Sequence, residues 1–221
     1  MKIINWNVGR PSKNKGEKIL EKLNKLDADI LILTETNSSI VPHGDYNELS
    51  TARLRGVTDG VPYKDGEIRT SIWTKYSIIK HHSTFNDKTS VCADIKTKSG
   101  VLTVYATIIG ILGGTKPAFK VDLQSQLLDF DNLFPGKQVC IAGDYNIIFT
   151  GRAYPSLSAR QTLNDVFQKF NLKNITDSVA DCVDHIAISN DFMGDKKVSF
   201  EIWNEDKKLS DHIGVCATIT D

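Results

Sequence analysis

The sequence predicts an α/β fold in which two β-sheets pack face to face. Residues 2–8, 16–26 and 28–33 show strand, helix and strand patterns in turn, which is typical of a βαβ unit. The middle of the chain instead contains short β-rich segments separated by turn residues, which favour antiparallel hairpins. A helix, a buried strand and a polar strand end recur over residues 116–146. We therefore expect two similar halves that bring polar side chains to one shared edge.

Hydrophobic periodicity defines the elements of the N-terminal half. Residues 16–26 place four aliphatic side chains on one helical face, with Glu and Lys on the other. Residues 37–66 are rich in Gly and Pro, which predicts loops, with one short strand within residues 45–51. Four strand patterns follow, at residues 68–75, 77–82, 91–98 and 101–109. The turn Lys98-Ser99-Gly100 predicts that the last two form a hairpin.

The C-terminal half alternates helices and strands. Residues 116–134 carry five large apolar side chains at helical spacing, and Pro135-Gly136 ends that helix. The apolar run at residues 139–142 predicts a buried strand that ends at Gly143. Ser158-Ala159-Arg160-Gln161 resembles a capping box and predicts another helix. Three strand patterns occupy residues 183–189, 197–203 and 213–219. Because no linker interrupts the chain, we expect a single domain over residues 1–221.

Composition limits the kind of partner that this protein has. Lys plus Arg and Asp plus Glu are 27 each, so the net charge is zero and no dominant basic field is present. A local basic patch for nucleic acid stays possible. The N-terminus is too polar for a signal peptide, and no apolar run is long enough to span a membrane. The four cysteines lie singly in strand-like segments, which predicts buried, reduced thiols in a cytoplasmic protein. We expect no membrane association, and no obligate protein partner is evident from the sequence.

Polar residues follow most of the predicted strands. At or near strand ends lie Asn7, Glu35, Tyr105, Asp144, Asn146, Asp184, Asp211 and His212. Carboxylate and amide oxygens are ligands that Mg²⁺ or Mn²⁺ prefers, and a His beside a carboxylate can be kept protonated to meet a charged oxygen. Each residue alone could have a structural role, such as an Asp/Asn turn after a core strand. Their joint position at strand ends favours hydrolysis at phosphorus.

Five short motifs occur in the order of a known superfamily. They are Asn5-Trp6-Asn7, Leu33-Thr34-Glu35-Thr36, Gly143-Asp144-Tyr145-Asn146, Val183-Asp184-His185-Ile186 and Ser210-Asp211-His212. With these motifs the chain resembles the endonuclease/exonuclease/phosphatase superfamily, which includes DNase I and exonuclease III. The resemblance spans residues 3–217. It implies a DNase I-like four-layer α/β sandwich, with two packed mixed β-sheets flanked by helices.

The resemblance also implies roles for individual residues. It implies a site for Mg²⁺ or Mn²⁺ with Glu35 as the principal ligand and with Asn7 and Asp211 close by. It implies catalytic roles for five further residues: Asp144, Asn146, His212, Asp184 and Tyr105. Among these, Asp144 would deprotonate the attacking water, and His212 would contact the phosphate. Arg10 and Arg152 each follow a site motif closely, so we expect them to contact a nucleic-acid backbone.

We therefore expect a divalent-metal-dependent phosphoester hydrolase, foremost a DNA endonuclease or exonuclease with little sequence specificity, as in DNA repair. One alternative is a phosphatase or phosphodiesterase for a small phosphorylated molecule. Another is a non-catalytic binding module on the same fold. Residues 174–182 contain no aromatic side chain that could shape an abasic-site pocket, so we expect little preference for abasic DNA.

Overall fold

The computed structural model describes residues 1–220, which form thirteen strands and four helices. In chain order these are β1 (Lys2–Asn7), α1 (Lys13–Leu26), β2 (Ile30–Asn37), β3 (Asn47–Ser50), β4 (Leu54–Thr58), β5 (Val61–Thr74), β6 (Ser77–His82), β7 (Ser90–Thr97), β8 (Gly100–Ile108), α2 (Pro117–Leu133), β9 (Val139–Asp144), α3 (Leu157–Lys169), β10 (Leu172–Asn174), β11 (Asp184–Ser189), α4 (Asn190–Met193), β12 (Lys197–Trp203) and β13 (Gly214–Thr220). None of the four helices is long and apolar enough to cross a membrane.

The strands form two mixed sheets. The first has the order β12-β13-β1-β2-β5-β3, with β4 paired to β5, and the second has the order β10-β11-β9-β8-β7-β6. Each sheet contains one parallel pair, β1 with β2 in the first and β8 with β9 in the second. The expectation of two mixed sheets is confirmed, and it holds because a strand–helix–strand crossover occurs once in each half.

Three hydrophobic clusters hold four layers together. The central cluster lies between the sheets and joins side chains such as Ile32 of β2 to Val104 of β8. On the outer face of the first sheet, Ile19 and Leu23 of α1 pack against β1 and β2. On the outer face of the second sheet, α2 and α3 pack against β8 and β9. Each large side chain that becomes fully buried contributes about 1.5–3 kcal/mol to folding.

The strand β9 is longer than expected and includes Asp144 as its last residue. Gly143 makes this possible: its φ is +153°, and a Cβ there would lie 1.9 Å from the carbonyl oxygen of Thr107. The close approach of β8 to β9 therefore requires glycine at this position. As a result Asp144 is presented by a rigid strand end and not by a loop.

Some local expectations were wrong. The N-cap of α3 is Ser156, whose hydroxyl accepts from the amide of Ala159 at 3.1 Å, and not Ser158. The structure also contains β4, β10 and α4, which the sequence pattern did not reveal because each has five residues or fewer. All four cysteines are buried and unbridged, as expected.

Candidate active site

The site lies where strand ends of the two sheets meet. The side-chain amide of Asn5 in β1 donates to the carbonyl oxygen of Gly143 in β9 at 2.9 Å, which ties the first sheet to the second. From this junction the first sheet presents Asn7 and Glu35, and the second presents Asp144 and Asp184. These four residues are far apart in the sequence, and the packing of the two sheets brings them to one edge.

His212 and Asp184 form the central pair of the site. Nδ1 of His212 lies 2.7 Å from Oδ2 of Asp184, and the other oxygen of that carboxylate accepts from the backbone amide of Asn7 at 3.0 Å. Burial acts to lower the pKa of His212, but the negative charges of Asp184, Asp144 and Asp211 outweigh it and raise the pKa to about 10. His212 is therefore a protonated donor at neutral pH, with Nε2 available for a substrate oxygen.

Asp144 is a buried carboxylate that can exchange a proton near neutral pH. Oδ2 accepts from the side-chain amide of Asn7 at 3.0 Å, and Oδ1 accepts from the backbone amide of Asn146 at 2.9 Å. Burial raises the pKa of Asp144 to about 7, since the nearby charge of Asp184 adds to the burial effect and the charge of His212 only partly offsets it. A carboxylate with such a pKa suits general-base work.

Asn146 is held in one orientation by the loop that follows β8. Its backbone φ is +51°, a left-handed conformation that Asn tolerates better than most residues. Nδ2 donates to the carbonyl oxygens of Ile109 and Gly110, both at 3.1 Å. Because both amide hydrogens are engaged, Asn146 can offer a ligand only its Oδ1, which is an acceptor.

Glu35 and Asp211 lie at the outer side of the same edge. Glu35 is half-buried near the end of β2, with a backbone φ of +49° that costs energy for a non-glycine residue. Burial and the charge of Asp211 raise the pKa of Glu35, while His212 and Arg10 lower it. Two carboxylates that repel each other in this way form a suitable environment for a cation.

The loop that carries Asp211 and His212 is fixed from two sides. The side-chain amide of Asn204 donates to the carbonyl oxygens of Ser210 at 2.8 Å and of His212 at 2.7 Å. The hydroxyl of Ser210 donates to the carbonyl oxygen of Asn7 at 2.7 Å. Gly9 has a φ of +65°, which favours glycine, and a Cβ there would lie 2.9 Å from Oδ1 of Asp211, so a larger residue would displace that carboxylate.

Two groups of side chains could receive a divalent cation. Asp144, Asp184 and His212 have ligand atoms within 4.8 Å of one another. That set fits poorly, because Nδ1 of His212 is already engaged by Asp184. Glu35, Asp211 and Oδ1 of Asn7 provide hard oxygen donors, and the Asn7 oxygen keeps a lone pair free after accepting from the Gly9 amide at 2.9 Å. The second set fits Mg²⁺ or Mn²⁺ better.

Comparison with known proteins addresses the family and the fold of this chain. The profile of the Endonuclease/Exonuclease/phosphatase family matches residues 4–212. The chain belongs to this family. No curated protein matches the sequence.

Solved structures of this fold resemble the chain along its whole length. An AP endonuclease from Archaeoglobus fulgidus has 13% sequence identity and a TM-score of 0.70, with 99% of each chain covered. A 3′-5′ exonuclease from Neisseria meningitidis has 16% identity and a TM-score of 0.70, with 100% of each chain covered. A structure described as a 3′ phosphatase from Neisseria bound to a product DNA hairpin has 15% identity and a TM-score of 0.72, also with 100% of each covered. At these identities the likeness establishes the DNase I-like fold.

Tyr105 is not part of the site in this family member, contrary to expectation. Its ring is fully buried on the outer face of the second sheet and packs edge-on against Phe130 and Phe134. Its hydroxyl donates to Asp129 of α2 at 2.7 Å. Because side chains alternate across a strand, Tyr105 points to the helices while the site lies beyond the end of β8. Tyr105 is a core residue.

The two arginines expected to contact nucleic acid differ. Arg10 forms an ion pair with Glu67 at 2.6 Å and lies over the ring of Tyr63, so its charge is already balanced. Arg152 is exposed in the loop before α3, and its carbonyl oxygen accepts from Arg160 at 3.1 Å. Of these two arginines, Arg10 is paired and Arg152 is exposed.

Two further residues support the site, although neither was among the expected site residues. One is Asn204, whose contacts hold the loop before β13. The other is His185, which is fully buried, with Nδ1 3.1 Å from the hydroxyl of Thr176 and Nε2 close to two carbonyl oxygens. The sequence alone does not reveal these contacts, because the hydrogen-bond partners of a single Asn or His depend on how the surrounding loops fold.

Proposed function

We propose that this family member is a divalent-metal-dependent hydrolase of phosphodiester bonds in DNA, with little sequence specificity. The observation that carries the proposal is the pairing of a proton donor with a proton acceptor at one strand edge. His212, with a pKa raised to about 10, lies beside Asp144, with a pKa raised to about 7. A site with both groups can take a proton from water while it holds a phosphate oxygen.

Each side chain has a definite task in the proposed reaction. Asp144 accepts the proton of the attacking water, and Oδ1 of Asn146 accepts a second hydrogen bond from that water and so aims its lone pair at phosphorus. Nε2 of His212 donates to a non-bridging phosphate oxygen, where negative charge increases in the transition state. Asp184 keeps the imidazole protonated and fixes its orientation through the 2.7 Å contact. Asn7 positions both carboxylates, through its side chain on Asp144 and its backbone amide on Asp184.

Glu35, Asp211 and Oδ1 of Asn7 are the proposed ligands of Mg²⁺ or Mn²⁺. When bound, the cation supplies charge neutralisation at the phosphate and assists departure of the leaving oxygen. Glu35 is the principal ligand in this proposal, because it is the more buried of the two carboxylates.

DNA is the proposed substrate because the comparable solved proteins include an AP endonuclease, a 3′-5′ exonuclease and a 3′ phosphatase bound to a DNA hairpin. Electrostatics predicts weak binding, since the net charge is zero and Arg10 is neutralised by Glu67. With Arg152 as the main phosphate contact, the affinity should fall with a log–log salt slope of about −0.9 per contact. Binding of this kind carries little sequence information.

The test is hydrolysis by purified protein with Mg²⁺ or Mn²⁺. The substrates are plasmid, single-stranded DNA, matched and abasic duplexes, RNA, inositol phosphates and bis-p-nitrophenyl phosphate. We expect cleavage of DNA that stops in EDTA, with similar rates on matched and abasic duplexes. Asp144→Asn should slow it by about 10²–10⁴-fold. Asp195→Asn should leave the rate unchanged, because Asp195 is an exposed acid before β12, at the opposite edge of the first sheet. Turnover of a small phosphoester without cleavage of any nucleic acid would reject DNA as substrate, and binding of DNA without any turnover would reject hydrolysis.

A further inference from the structure

The loop that follows β8 lies between the candidate site and α2. On the side of the site, Nδ2 of Asn146 donates to the carbonyl oxygens of Ile109 and Gly110, both at 3.1 Å. The backbone amide of Ile109 also donates to the carbonyl oxygen of Asp144 at 2.9 Å. The orientation of the Asn146 side chain therefore depends on where these two backbone carbonyl groups are held.

Two buried side chains of α2 bind the same loop from the other side. Oδ2 of Asp122 accepts from the backbone amide of Gly110 at 3.1 Å, and its Oδ1 accepts from the side-chain amide of Asn86 at 3.3 Å. One turn further along the helix, Nε2 of Gln126 donates to the carbonyl oxygen of Ile108 at 3.2 Å. A hydrogen bond to an ionised acceptor is stronger than one between neutral groups, so the contact of Asp122 is the stronger of the two.

One peptide group joins Asp122 to Asn146. The amide hydrogen of Gly110 and the carbonyl oxygen of Ile109 belong to the same peptide group, which is planar and trans, so they point in opposite directions. Asp122 binds one edge of this group and Asn146 binds the other. A rotation of the group that broke the first hydrogen bond would therefore also move the acceptor of the second.

The packing of Gly110 keeps this peptide group against the helix. Gly110 has a φ of +77°, and a Cβ there would lie 2.8 Å from Cβ and 2.9 Å from Cα of Phe119 in α2. The amide of Gly113 donates to the carbonyl oxygen of Gly110 at 2.8 Å, but Gly113 belongs to the same loop and moves with it. The contacts with α2 thus determine where the loop lies relative to Asn146.

We propose that Asp122 is a positioning residue for the reaction proposed above. By holding the peptide group between Ile109 and Gly110, it fixes the side chain of Asn146 so that Oδ1 is aimed at the attacking water. The proposal rests on the proposed hydrolysis, in which Oδ1 of Asn146 accepts a hydrogen bond from that water. It makes α2, a helix on the outer face of the second sheet, part of what determines the rate.

Asp122→Leu tests the proposal, because leucine has the same arrangement of heavy atoms but no acceptor. With bis-p-nitrophenyl phosphate we expect kcat to fall about tenfold and KM to stay within about twofold, since a small displacement of an orienting group affects mainly the transition state. Asp122→Asn retains an acceptor oxygen and should stay within about twofold of the wild type. If Asp122→Leu does not fold, Asp122→Ala removes the same acceptor with fewer atoms. An unchanged kcat in the folded variant that lacks the acceptor would overturn the proposal.

Asp129→Leu is the matched control. Asp129 is a buried carboxylate two turns further along α2 that accepts the backbone amide of Phe85, in a different loop, at 2.9 Å. Asp129→Leu should lower the urea midpoint as Asp122→Leu does, but it should leave kcat within about twofold of the wild type. Equal losses of kcat in both variants would show a general loosening of α2 and reject positioning by Asp122.

A double variant tests whether Asp122 acts through Asn146. In Asn146→Ala the group that Asp122 positions is already absent, so adding Asp122→Leu should lower kcat no further. A second loss of about tenfold in the double variant, equal to the loss in the wild-type background, would reject action through Asn146.

The side-chain amide of Asn146 reports on its own position without any hydrolysis. Its NMR signal is the one missing in Asn146→Ala, and its hydrogens should exchange slowly with water because both are engaged. Exchange should be about tenfold faster in Asp122→Leu and unchanged in Asp129→Leu. That result in a protein that hydrolyses nothing would uphold the positioning of Asn146 and reject only the proposed function. Unchanged exchange in Asp122→Leu would overturn the proposal itself.

Discussion

Replacing Tyr105 with Phe separates a structural role of this residue from a catalytic one. The hydroxyl is buried and donates to Oδ2 of Asp129 at 2.7 Å, so Tyr105→Phe removes one hydrogen bond to a charged acceptor. Such bonds are worth about 1.5–3 kcal/mol. Asp129 keeps the backbone amide of Phe85, at 2.9 and 3.0 Å from its two oxygens, so the loss should lie near the lower end, about 2 kcal/mol. For a domain of this size that corresponds to a fall in Tm of about 4–8 °C.

The hydrolytic activity of Tyr105→Phe should change little, although its stability falls. Tyr105 pairs with Ile141 in the sheet register, three positions before the pair of Ile108 and Asp144 at the site. Tyr105→Phe should therefore keep hydrolysis of bis-p-nitrophenyl phosphate within about twofold, while Asp144→Asn should lose about 10²–10⁴-fold in rate without a comparable loss of stability. Urea unfolding and initial rates, measured on the same preparations, give both quantities. A rate loss of about a hundredfold in Tyr105→Phe at unchanged stability would refute our assignment of this residue to the core.

Three further predictions concern the metal, the proton-transfer pair and pH. Glu35→Gln should weaken the Mg²⁺ dependence of hydrolysis and leave the fold intact. A metal titration measures the dependence, and circular dichroism checks the fold. Undiminished activity of the wild type in EDTA would contradict the metal hypothesis. Asp144→Asn and His212→Ala should each lose about 10²–10⁴-fold in kcat, and the double variant should lose far less than the product of the two, since both act on one step. Burial lowers the pKa of His185 to about 4, so its contribution to stability is present above pH 6.5 and is lost as the pH falls toward 4. Between pH 7 and pH 5 the free energy of unfolding should fall by about 2 kcal/mol more in the wild type than in His185→Gln; equal urea midpoint shifts in the two proteins would reject this.

The fold was predictable to the extent that periodicity defines long elements. The helix α1 and the strand β12 have the apolar spacing that the pattern required, and their bounds agree with expectation closely. Short elements such as β10 owe their conformation to the neighbouring strand β11 and not to their own three residues. Likewise β5 extends seven residues further toward the N-terminus than its apolar segment, because pairing with β4 satisfies the backbone of a polar stretch.

The site residues were predictable where several polar residues lie at strand ends in a fixed order. They were less predictable where the role of a residue depends on which face of the sheet its side chain occupies. Tyr105 shows the difference. Its position near the end of β8 suggested a role at the site. The alternation of side chains along the strand instead points it to the helices, where its hydroxyl donates to Asp129 and its ring packs against Phe130. Nothing within one strand reveals which face a tyrosine will occupy when both faces are buried.

The contacts of Asn7 explain why the site depends on the packing of both sheets. Asn7 belongs to the first sheet, yet its side chain donates to Asp144 of β9 and its backbone amide donates to Asp184 of β11, both in the second. The amide of Asn5, two residues earlier, donates to the carbonyl oxygen of Gly143 and repeats the link. A shift between the sheets of even 1 Å would lengthen these bonds beyond hydrogen-bonding distance and leave the two carboxylates without the donors that orient them. The apolar cluster between the sheets, through residues such as Ile32, thus sets the geometry of the candidate site as well as stability.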